Sequence, residues 1–202
     1  MSSGANKLSR RQLLAGFAGT GLLAGCASNN TPSVLYGLTA ADLETEPGRN
    51  RGAQVLVPRP RALKALDTDN IAVVDSGPVY SYFPKAAWAD TLPSVIQTKM
   101  VQTLENTGRL RGVGFPGDGL LIDYQLQIEV RAFELRLDGA NRGVVELAAR
   151  LVNDRNGRAV ASRVFRAETP SGGTSVDQAV AAMNRSADQV FADMAAWVLG
   201  RV

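Results

Sequence analysis

Between residues 120 and 137 apolar side chains recur at every second position: Leu120, Ile122, Tyr124, Leu126, Ile128 and Val130, with mostly polar residues between them. That period predicts a strand with one buried and one wet face. After Ala132 the pattern changes parity, and Phe133, Leu135 and Leu137 carry it on. A period of two changes phase only where a residue is inserted, so a β-bulge is expected near Ala132–Phe133. Asp138 to Gly143 reads as a turn, and Val145, Leu147, Ala149 and Leu151 as the next strand. Asn156-Gly157 is a two-residue hairpin signal. A hairpin centred there sets Leu151 opposite Ser162 and Ala149 opposite Val164 on the inner face, and Arg150 opposite Arg163 on the outer. Like charges directly across a pair are unfavourable, so that outer face is expected to be solvated or to meet a partner.

Shorter apolar runs precede this meander. Val34 to Leu38 and Ala53 to Val57 read as strands, the second stopped by Pro58 and Pro60. Ile71 to Val74 and Val79 to Tyr82 flank Ser76-Gly77-Pro78, a turn signal. Asp90 reads as a helix cap, with Pro93 tolerated in the first turn. Leu92, Val95, Ile96, Met100 and Leu104 then share a helical face, and Asn106-Thr107-Gly108 ends the helix. Trp88, just upstream, is expected to pack in the core. The last helix opens on Ser175-Val176-Asp177-Gln178, a capping-box pattern. Its stripe is Val176, Val180, Met183, Ala187, Val190, Met194 and Trp197, with Asp177, Asn184, Arg185, Asp188 and Asp193 lying off it and Gly200 as a stop. A membrane-surface helix should carry Lys and Arg on its polar face, so this stripe is expected to pack on the sheet. Strands, helix, antiparallel meander and helix predict the α+β class: a two-layer α/β sandwich with a largely antiparallel sheet and two main helices on one face.

Gly112 to Gly117 spells G-x-G-x-x-G. The dinucleotide motif works where it follows a strand and opens a helix whose N–H groups face the pyrophosphate. Here a helix precedes and a strand follows, so a loop is expected.

The start of the chain is different in kind. Lys7, Arg10 and Arg11 are the only charges before thirteen mostly apolar residues, Leu13 to Gly25, four of them glycine. About 20 apolar residues are needed to span a bilayer. A positive segment, a short apolar one and small residues at its end predict an export signal instead. Leu23-Ala24-Gly25-Cys26 resembles the lipobox of bacterial lipoproteins, in which the Cys sulfur receives a diacylglyceryl group and cleavage falls between Gly25 and Cys26. Ser9-Arg10-Arg11-Gln12-Leu13-Leu14 resembles a twin-arginine signal, although a general secretory signal fits Arg10 and Arg11 as well. The expected organisation is an export signal at 1–25, an acylated Cys with a flexible tether at 26–33, and a single domain at 34–202.

Charge and composition narrow the function. Of 22 basic residues three lie in the leader, which leaves 19 against 19 acidic ones, so residues 26–202 are neutral. The basic balance belongs to the leader, and no nucleic-acid partner is expected. Cys26 is the only cysteine and there is no histidine. Ser-His-Asp and Cys-His nucleophilic sites are therefore excluded, along with the imidazole that most zinc sites use, and no metal or other cofactor is expected beyond the covalent lipid on Cys26. Carboxylates remain. A hydrolase built on them, with Asp118 and Asp123 as candidates, is the minor alternative and needs both acids in one pocket.

Four stretches resemble the ABC-type transport auxiliary lipoprotein family of the paraquat-inducible protein C type. They are Trp88-Ala89-Asp90-Thr91-Leu92-Pro93; Asp123 to Glu134 with its closing Phe133-Glu134 pair; Val152-Asn153-Asp154 with Gly157 and Val164-Phe165-Arg166; and Ala181-Ala182-Met183 through Ala195-Ala196-Trp197-Val198-Leu199. The resemblance implies a non-catalytic periplasmic lipoprotein beside an ABC transporter permease and ATPase and a mammalian-cell-entry (MCE) domain protein, serving lipid transport between inner and outer membranes. Ala27 after the Cys implies sorting to the outer membrane, periplasmic face, held by the lipid anchor. A homo-oligomer is compatible with it. The alternative within the same class is a lipoprotein that holds lipid between its sheet and helices and acts alone. The exported chain is expected to begin at Cys26 and to carry acyl mass there, which intact-mass spectrometry reads directly; Cys26→Ser should abolish it.

Overall fold

The computed structural model describes residues 32–43 and 52–202. Its centre is β7 (Tyr124–Arg136), which pairs antiparallel with β8 (Arg142–Asn153), as β8 does with β9 (Ala159–Pro170). The expected bulge is present one residue early. Val130 faces Leu147 and Ala132 faces Glu146, leaving Arg131 without a partner in the ladder. Below the bulge Leu126, Ile128 and Val130 are buried, and above it Phe133 and Leu135 are, so one inserted residue keeps the apolar side on the core through the change of parity.

The other edge of β7 is met by three short strands in turn, all parallel to it: β2 (Gln54–Leu56), β3 (Arg61–Ala62) and β4 (Asn70–Val74). Pro58 and Pro60, which cannot donate to a ladder, separate the first two. β5 (Tyr80–Trp88) pairs antiparallel with β4 and is longer than the apolar run at 79–82 predicts, because a bulge carries it past Phe83–Lys85. β1 (Val34–Tyr36) adds to β5, and β6 (Gly112–Gly114) to β2, both in parallel. The sheet of nine strands is thus mixed, with its longest pairings antiparallel. Leu120 to Ile122 lie outside β7, and Leu121 is largely exposed.

The β8–β9 hairpin departs from the two-residue turn. Asn153 and Arg158 close a four-residue loop, with Gly157 at φ 67° and its N–H donating to the Asn153 carbonyl. The Asn153 and Asn156 side chains accept from the backbones of Arg155 and Arg158, which favours this wider turn. A further shift beside Val152 sets Arg150 opposite Ser162 and Ala149 opposite Arg163. Arg163 and Phe165, not Ser162 and Val164, therefore sit on the helix side, and Arg150 and Arg163 are on different faces.

α1 (Leu92–Asn106) is preceded by Thr91 rather than Asp90 as its cap; the Asp90 carboxylate accepts from the Thr91 N–H. α2 (Val176–Leu199) starts at Ser175, whose hydroxyl takes the Gln178 N–H, and ends at Gly200. Both helices cover one side of the sheet. Trp88 meets Phe133 edge-on at 5.5 Å, and Phe165 meets Trp197 at 5.7 Å. α2 comes closest to the sheet at Gly143, where a Cβ would lie 2.4 Å from the Met183 nitrogen and 2.6 Å from the Ala182 carbonyl carbon. There the buried Ser186 hydroxyl donates to the Gly143 carbonyl at 2.9 Å. Gly143→Ala should therefore push helix from sheet and lower stability by about 1–3 kcal/mol, while Gly172→Ala, with only a loose contact at 3.6 Å, should change little; urea denaturation compares the two.

Candidate functional site

Arg10, Arg11, Gly25 and Cys26 lie outside the described residues. The first described residues are held to the domain by several hydrogen bonds. Ser33 donates to the Lys85 carbonyl through both its backbone N–H and its hydroxyl, at 2.9 and 3.1 Å. Beyond β1 the chain crosses the polar side of α2. Tyr36 donates to Asp177, Thr39 donates to Asn184 from its backbone and to Asp188 from its hydroxyl, and the Asn184 amide returns a bond to Thr39. The bond to the Asp177 carboxylate holds the Tyr36 hydroxyl above its ordinary pKa. Ala41 then donates to Thr103 of α1. Asp177, Asn184 and Asp188 lie off the apolar stripe, and their spacing of seven and four puts them on one helical line. That line was the available signal.

The two candidate acids do not meet. Asp118 folds back on its own loop, accepting the Phe115 N–H at 2.7 Å. Asp123 accepts the Gln54 N–H at 3.0 Å, Arg155 at 2.9 Å and Arg111 at 3.3 Å. The Gln54 bond, then Arg155 and Arg111, hold its carboxyl below the usual range despite partial burial. A general acid needs the opposite shift. Asp123 is a clasp joining the start of β7 to β2 and to the hairpin loop. The G-x-G-x-x-G run also carries no site geometry. Its first three residues are β6 rather than loop, a turn follows, and no helix opens there. At Gly114 a Cβ would lie 2.7 Å from the ends of the Asp118 and Leu120 side chains, which would have to move aside.

The face of the sheet turned from the helices holds a shallow groove of about 310 Å³. The registered row Arg61–Glu129–Ala148–Val164 runs across it, flanked by Arg131 on one side and by Gln127, Arg150 and Ser162 on the other. Further along this face the charges pair among themselves. Arg166 bonds Glu146 and Glu168, and Arg142 bonds Glu168 and Asp138. The Arg166 contact, then Arg142, keeps the Glu168 carboxyl below its ordinary pKa. Glu134 is fully buried and held by Arg136 at 2.8 Å. Burial, then the Glu134 charge, pushes the neighbouring Tyr80 hydroxyl up.

A family model described as the ABC-type transport auxiliary lipoprotein component matches residues 36–195. The chain belongs to this family. A protein from Xanthomonas campestris, assigned to the family DUF330, has a solved structure 27% identical with a TM-score of 0.77, covering 83% of this chain and 95% of that one. A second solved structure, of an uncharacterized protein, is 19% identical with a TM-score of 0.65 over 83% of this chain and 99% of its own, and shows the fold alone. An uncharacterized protein of Bradyrhizobium diazoefficiens is 30% identical over 149 residues, which are 73% of this chain; the match spans two fifths of that relative's length.

Two of the stretches that resemble this auxiliary lipoprotein family meet in the core, where Trp88 packs on Phe133. The matched region also takes in Asp123, which makes the clasp a testable part of the family domain. A carboxyl with a depressed pKa adds stability above its unfolded pKa of about 3.9, and that contribution is lost as pH falls through the folded value. Asp123→Asn is expected to cost about 1–2 kcal/mol at pH 7 and progressively less as the carboxyl protonates in acid, read from urea midpoints across pH.

Proposed function

We propose that this chain is a non-catalytic auxiliary lipoprotein of an ABC transport system, anchored through acylated Cys26 at the periplasmic face of the outer membrane. Its partners on this reading are an MCE-domain protein and the permease and ATPase of the transporter, and the cargo is lipid moving between the two membranes. The family match over 36–195 carries the reading. The hold on the N-terminal segment supports it, since a tether acting through Ser33, Tyr36 and Thr39 pulls on β5 and both helices rather than on a loose end. A domain so moored raises the effective concentration of whatever docks on it, without chemistry.

Packing weighs against a lipid held between sheet and helices. Leu147, Met183, Val190 and Met194 fill that interface and are fully or almost fully buried. The separate engagements of Asp118 and Asp123 weigh against a hydrolase using both.

Affinity capture of the acylated chain from detergent-solubilised membranes is expected to recover an MCE-domain protein together with permease or ATPase. Recovery of none of them would overturn the transport role.

A further inference from the structure

In a body with equal numbers of acids and bases, the groove on the helix-free face holds Arg61, Arg131 and Arg150, of which Arg131 alone has an acidic partner among the described residues. Glu129 lies 3.7 Å from Arg131. Arg61 and Arg150, one on each side of β7, have no ion pair or hydrogen bond among the described residues, although the neighbouring arginines 136, 142 and 166 are all paired. Between them on β7 lie Glu129, which registers with Arg61, and Gln127, which registers with Arg150; Ala148, two residues before Arg150 on β8, also lines the groove. Val164, which ends the same row, is 45% exposed, and Leu63, just past the end of β3 and two residues beyond Arg61, is 66% exposed. Lys64 follows Leu63.

A guanidinium takes two phosphate oxygens through paired N–H groups. Free guanidinium groups next to exposed Leu and Val match a surface that offers phosphate over an apolar layer. We infer that this groove docks the domain on an acidic phospholipid surface, with Arg61 and Arg150 on headgroup phosphates and Leu63 and Val164 at the interface. Residues 27–32, ahead of the held Ser33, span about 20 Å when extended, at about 3.3 Å each, so an anchor at Cys26 would hold the domain close to a bilayer. The inference rests on the proposed function for that nearness alone; the binding itself needs no anchor.

The test uses residues 26–202 with Cys26→Ser, which keep the whole compact unit Thr31–Val202. Flotation with vesicles of phosphatidylcholine, with or without phosphatidylglycerol, should show association only with the acidic vesicles, weakening as salt is raised. One basic residue near an acidic surface is worth about 1 kcal/mol, or about fivefold in partition. Arg61→Ala and Arg150→Ala should each lower partition by that factor, and Leu63→Ser should lower it further. Arg158→Ala, an equal loss of charge in the hairpin loop, should leave it nearly unchanged. Equal binding to both vesicle types, an equal loss in Arg158→Ala, or displacement by inorganic phosphate alone overturns the inference. So does an Arg61→Ala, Arg150→Ala protein that floats normally but no longer captures the transport partner, since the groove would then serve an acidic protein. A chain that captures no partner yet needs Arg61 and Arg150 for acidic vesicles would sink the transport reading and leave this one standing.

Discussion

A thirteen-residue strand must keep one side under two helices while its apolar residues change parity halfway. The unpaired Arg131 resolves that conflict, and the rest of the sheet depends on it. Without the insertion, either Leu126, Ile128 and Val130 or Phe133 and Leu135 would point away from the core. Phe133 would then leave Trp88, and β4, which registers with the upper half of β7, would lose its alignment with β2 and β3 on the lower half. The same insertion turns Arg131 outward beside the groove. One residue thus keeps the core continuous and adds a side chain to the rim of the outer face.

How far the sequence could be read follows from the range of each signal. The meander, the bulge, α2 with its Ser175 cap and the burial of Trp88 were legible because they rest on local periodicity or capping chemistry. The hairpin register was not, since Asn156-Gly157 fits a two-residue turn as well as the wider loop, and the choice is made by the side-chain bonds of Asn153 and Asn156. The wider loop alone keeps the same faces; the residue left over at the shift beside Val152, Val160, moved Arg163 to the helix side, where it covers the Phe165 ring at 4.9 Å. β3 and β6 were missed because two or three residues carry no period, and their strand character comes from the neighbours that pair with them.

The candidate site was legible only in its inventory. The lack of histidine and of a second cysteine already removed most catalysis, but which of 19 basic residues lack a partner is a question of register. Arg61 and Arg150 are 89 positions apart and are brought to one face by β7 between them. No spacing rule joins them. The hold on the N-terminal segment was hidden in the same way, since Thr39 and Asn184 are distant in the chain.

Lys85 shows where the fold accepts strain and why. It is the one non-glycine residue among the described ones with positive φ, at 56°. A left-handed backbone costs a residue with a Cβ about 1–2 kcal/mol, and such strain persists only where its surroundings over-determine it. Here the carbonyl of Lys85 accepts both donors of Ser33, and the three-residue bulge it closes lets Ala86 to Trp88 line up with β1. An alternative backbone at Lys85 would free Ser33 and shift Trp88 out of register with Tyr36. The strained residue therefore stands at the junction between the first described residues of the chain and the aromatic core, and holds the two in one register.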